Sequence, residues 1–216
     1  LPEDSSWLRP PIAEVYRLDD EEMLILRDGD GQPVRIGQQV MLYRRDRLFC
    51  LDTDQDRFSD GVRWEAMLPR ADDGETLPTA VGHLLVGGER LAVLASETVT
   101  VLDIADGRTA ALRSLRELGI PKVDAVVGGG GVWMMASAGL GRLWAVGFEQ
   151  GGQPVVRWSV ENLALGEPLQ LQVAGEHLLC QGPSGLKVYR LSDGRSTVED
   201  AGQGLLLADG RVLVHR

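Results

Sequence analysis

Lysine is nearly absent from this chain: Lys122 and Lys187 are the only two in 216 residues, and with arginine included 22 cations face 32 carboxylates, for a formal charge of −10. A continuous basic groove is therefore excluded, and with it ordinary nucleic-acid binding, whose affinity comes from neutralising phosphates with Lys and Arg. Cysteine is just as sparse. Cys50 and Cys180 alone make neither a disulfide framework nor a four-cysteine zinc site. There is no long apolar run either: the longest stretch without a formal charge, Ala125 to Gly141, is broken by Gly128 to Gly131, Gly139 and Gly141, and it is shorter than the roughly 20 residues a spanning helix needs. Leu1 to Pro11 shows no basic region followed by an apolar core, so no signal peptide is read there, and the chain is expected to be part of, or cut from, a longer protein. The three histidines, His83, His177 and His215, are too far apart for metal-ligand spacing, which favours structural or surface roles. No serine occupies a Gly-x-Ser-x-Gly elbow. The glycine run at Gly128 is not followed by Lys-Ser or Lys-Thr, so it reads as a tight connection into the next unit rather than a phosphate loop.

What is present is glycine, 27 residues of it, in a chain that is 44% apolar, a mixture expected where many turns punctuate short strands. A repeat runs through it. Val40 to Trp64 (VMLYRRDRLFCLDTDQDRFSDGVRW), Glu89 to Arg108 (ERLAVLASETVTVLDIADGR), Gly131 to Trp158 (GVWMMASAGLGRLWAVGFEQGGQPVVRW) and His177 to Arg195 (HLLCQGPSGLKVYRLSDGR) each read as apolar strand, turn, second apolar strand, polar turn with glycine and closing strand. Aligned on Leu51, Leu102, Ala145 and Arg190, the copies stand about 43 to 51 residues apart, close to the roughly 40–50 of a propeller blade. The two ends read as halves of a fifth unit. Gly204 to Arg216 supplies two strands around an Asp209-Gly210 turn, and Glu14 to Asp19 (EVYRLD) resembles Lys187 to Ser192 (KVYRLS), the third strand of the preceding unit. Joining them would close a ring and remove its free edges.

The expected architecture is all-β and propeller-like, with about five four-stranded blades, or a fragment of a seven- or eight-bladed ring. An N-terminal extension covers 1–12, and the propeller-like domain covers 13–216, with units near 33–68, 79–120, 123–162 and 168–200, and a fifth from 203–216 with 13–30. One departure is predicted: a short helix over 109–118, where Leu112, Leu115 and Leu118 recur at helical spacing, Gly119 offers a terminating position and Pro121 follows. Trp64 and Trp158 are expected to pack between blades, Trp133 and Trp144 in the core, and both cysteines to be free.

The phrases LFCLDTDQDRFSDGVRW, TVTVLDIADGR and LWAVGFEQGGQPVVRW resemble the blade repeat of quinoprotein-type β-propellers, a strand ending in Leu-Asp, a turn with Gly and a closing Trp, recurring four times between Val40 and about Arg195. The resemblance implies either a propeller that binds no cofactor, used as a scaffold, or a dehydrogenase dependent on pyrroloquinoline quinone. The dehydrogenases of that family bring adjacent cysteines and an asparagine beside calcium. Here the cysteines are 130 positions apart and Asn162 is the only asparagine, so a quinone site is not expected.

The sharpest local pattern is Asp52, Asp54, Asp56 and Asp60, at positions 1, 3, 5 and 9 of a calcium-loop spacing. Arg57 stands where the sharp turn needs Gly, and Arg63 where the bidentate Glu belongs, so a solvated turn competes with a calcium site. Asp28-Gly29-Asp30-Gly31 reads as a hairpin turn. No catalytic residue is identified. The leading expectation is a non-catalytic scaffold or protein-interaction module, part of a larger periplasmic or extracellular protein, acting on a protein partner. The alternatives are a quinone-dependent dehydrogenase or a fragment of one, and a calcium-dependent ligand binder.

Overall fold

The computed structural model describes residues 17–18, 22–23, 34–44, 47–52, 61–68, 83–87, 89–95, 97–129, 131–149, 152–207 and 211–215. The chain divides into two compact units, Leu1–Gly82 and His83–Arg216. Among the described residues every sheet in both is antiparallel.

In the first unit β1 (Arg17–Leu18) pairs with β2 (Glu22–Met23), and β3 (Val34–Ile36), β4 (Gln39–Arg44), β5 (Arg47–Asp52) and β6 (Val62–Met67) form a four-stranded meander in chain order. β4 carries Val40-Met41-Leu42-Tyr43 buried on both faces, as the second strand of a stacked sheet must be. In β6 Arg63, Glu65 and Met67 are exposed while Val62, Trp64 and Ala66 are half-buried, the period-two pattern of an outer strand.

The second unit repeats this meander three times: β7 (His83–Gly87), β8 (Arg90–Ala95), β9 (Thr98–Asp103) and β10 (Thr109–Ser114); β11 (Ala125–Gly129), β12 (Val132–Ser137), β13 (Arg142–Phe148) and β14 (Pro154–Val160); β15 (Gln170–Ala174), β16 (His177–Gly182), β17 (Gly185–Arg190) and β18 (Ser196–Asp200). A last pair, β19 (Gln203–Leu206) and β20 (Val212–His215), makes a two-stranded sheet. The first strands of these sheets stand side by side, β7 by β11, β11 by β15 and β15 by β19. Three apolar layers fill the gaps between consecutive sheets. The first centres on Val99, Val101, Trp133, Met135 and Trp144, the second on Met134, Leu143, Leu163, Leu178 and Tyr189, and the third on Leu179, Leu186, Val188 and Leu206. Sheets stacked face to face around neighbouring inner strands are the blade arrangement the repeat anticipates.

A β-bulge marks the same place in every four-stranded sheet. The register of the fourth strand on the third slips between Cys50 and Leu51, between Thr109 and Ala111, between Ala145 and Val146, and between Val188 and Tyr189. The residues paired just before the slip are therefore equivalent: Leu51, Leu102, Val146 and Tyr189. This corrects the sequence alignment by one residue in the third and fourth copies, where Ala145 and Arg190 had been matched. A bulge inserts a residue that pairs with nothing, so spacing in the sequence alone does not reveal it.

The helix expected over 109–118 is not formed. Thr109–Ser114 is strand β10, paired along its length with β9, and its Ala111 is buried while Leu112 is exposed. The helical signals are real but span one turn. Ser114 and Glu117 form a reciprocal cap: the Ser114 amide donates to Glu117 Oε2 (3.1 Å) and the Glu117 amide to Ser114 Oγ (3.2 Å). The turn ends at once, with the Gly119 amide donating to Arg116 O and the Ile120 amide to Leu115 O, Gly119 lying at φ +74°. Leu115 and Ile120 are both buried in the first apolar layer. Start and stop signals at Ser114 and Gly119 leave no length for a helix, and sheet pairing takes the preceding residues. The glycine run is also placed differently from its reading as a link between units. It ends β11 and turns within one sheet into β12, with Gly129 opposite Val132 and Gly131 at φ +75°.

Candidate functional site

Of the four carboxylates proposed for calcium, Asp52 ends β5 half-buried opposite Gln39. Asp54, Asp56 and Asp60 lie outside the described residues, as do the Asp28–Gly31 and Asp209-Gly210 turns. No group of three or more His, Cys, Asp or Glu side chains converges among the described residues. His83 opens β7, His177 opens β16 and His215 ends β20, far apart in the chain.

Cys50 and Cys180 are free and buried. Burial pushes the Cys50 thiol up to about 11, Arg63 opposing and Asp52 adding, and burial alone pushes Cys180 up strongly. Neither carries thiolate at neutral pH, so neither is a nucleophile.

The predicted inter-blade role of tryptophan is met by Trp158. From β14 its indole Nε1 donates to Leu191 O (2.8 Å) in the β17–β18 turn of the next sheet, and its ring lies on Gly194, where an added Cβ would stand 2.5 Å from Cε3. Gly194 also takes φ +68°. The side chain thus ties two sheets together through one bond and one close stack. Trp133 and Trp144 are core residues. Trp133 is fully buried, edge-on to Phe148 at 5.8 Å, and its Nε1 meets no acceptor among the described residues.

Asp124, just before β11, accepts from Ser137 Oγ (3.0 Å) and the Ala138 amide (2.9 Å) and pairs with Lys122 Nζ (3.1 Å). Partial burial pushes its carboxyl up. The bonds from Lys122, Ser137 and Ala138, with the lysine charge, outweigh this and hold it below the ordinary carboxylate range. It is a brace between chain segments, with three donors on its two oxygens.

The surface that stands apart is the half-sheet β19–β20. Leu206, Val212 and Val214 on one face join the third apolar layer. On the other face the directly opposed pair Leu205 and Leu213 is 51% and 65% exposed. At one end lies an open depression of about 760 Å³ lined by Glu199, Asp200, Ala201, Gly202, Gln203 and His215. Sequence reading missed this surface. Its signal was the run GLLLADGRVLVHR, two short strands with leucines on both faces.

No family model matches the chain, and no curated protein matches it. Solved β-propeller structures do resemble it. Hsv2 of Kluyveromyces lactis superposes at a TM-score of 0.56 with 12% identity over 88% of this chain and 59% of that one. The dihydro-heme d1 dehydrogenase NirN gives 0.53 with 18% identity over 84% and 40% of the two chains. AztD of Citrobacter koseri gives 0.51 with 16% identity over 82% and 48%. The class is thus an all-β, propeller-like fold, and the chain spans about two fifths to three fifths of the length of these structures.

Proposed function

We propose that this chain is a non-catalytic propeller-like scaffold or protein-interaction module with quinoprotein-like repeats, part of a larger extracytoplasmic protein. The exposed Leu205–Leu213 pair on the two-stranded sheet β19–β20 supports it most directly, because apolar surface beside a polar rim is the usual mark of a protein-binding site. The placement outside the cytoplasm rests on the repeat resemblance. Both thiols are buried and protonated, and Asp124 accepts structural bonds from Ser137 and Ala138.

The test is direct. The chain incubated with pyrroloquinoline quinone and calcium is expected to show no dye reduction with alcohols or sugars and no cofactor absorbance after desalting. Turnover would replace the module with the dehydrogenase reading. The calcium-binding alternative is decided by calorimetry: heat that disappears in Asp54→Ala plus Asp56→Ala establishes it, and a flat titration of the native chain removes it.

A further inference from the structure

We draw no further inference here: the strongest candidate, the open depression lined by Glu199, Asp200, Gly202 and His215 at the end of the two-stranded sheet β19–β20, is an acidic cluster whose carboxylates already take Lys187 Nζ (3.1 Å) and the Gly202 amide (2.8 Å), and nothing in the structure shows what ligand or neighbouring segment covers it.

Discussion

Two buried or half-buried indoles in the same unit carry different loads. Trp158 bonds Leu191 O and stacks on Gly194, while Trp133 fills space and makes no hydrogen bond among the described residues. Trp158→Phe is therefore expected to cost about 2 kcal/mol, from the lost bond and a carbonyl left without its donor. Trp133→Phe is expected to cost less, because relief of a buried unpartnered N–H offsets part of the lost packing. Urea denaturation of both variants gives the comparison, and equal losses would remove the distinction. The thiols give a second residue-scale expectation. With Cys50 pushed up to about 11 and Cys180 higher still by burial, neither is expected to react with a thiol-specific disulfide reagent at pH 8 until denaturant is added, as absorbance of the released dye reports. The role of Trp158 between blades was legible in its closing position in the repeat. Which carbonyl receives the indole was not, because Leu191 lies 33 positions along the chain.

At the scale of elements, the turn after β10 shows how local signals and sheet pairing divide a segment. Leu112, Leu115 and Leu118 have helical spacing, yet Leu112 sits exposed in a strand and only Leu115 onward turns. The Ser114-x-x-Glu117 box, more than the leucine period, marked where helical geometry begins. Ser114→Ala is expected to cost about 1 kcal/mol through loss of the cap, and Gly119→Ala a similar amount because its φ of +74° is a left-handed conformation. Both are checked by chemical denaturation. A change below a few tenths in each would mean that the turn is held by Leu115 and Ile120 burial alone. The four repeated bulges make the same point for strands: the sequence showed the repeat and its approximate period, while the extra residue in each fourth strand emerged only from pairing.

At the scale of the whole molecule, charge sets the acid limit. The lowered carboxyl of Asp124 adds stability at any pH above its unfolded value of about 4, and this contribution disappears as pH falls through the still lower folded value. Asp124→Asn is expected to destabilise at pH 7 and to differ progressively less from the native chain below about pH 4. Denaturation midpoints measured at pH 7, 5 and 3 test this, and a constant difference would show that the carboxylate charge contributes nothing.

The sequence by itself determined the all-β character, the fourfold recurrence of a four-strand unit and, with two cysteines, the exclusion of a four-cysteine metal site, because these follow from composition and from apolar patterns within a few residues of each other. Tertiary structure alone decided that 109–114 is a strand, that Trp158 docks on Gly194, and that Leu205 and Leu213 of β19–β20 face outward. Each of these depends on which distant backbone or side chain fills the space next to a residue, and local propensity does not encode that neighbour.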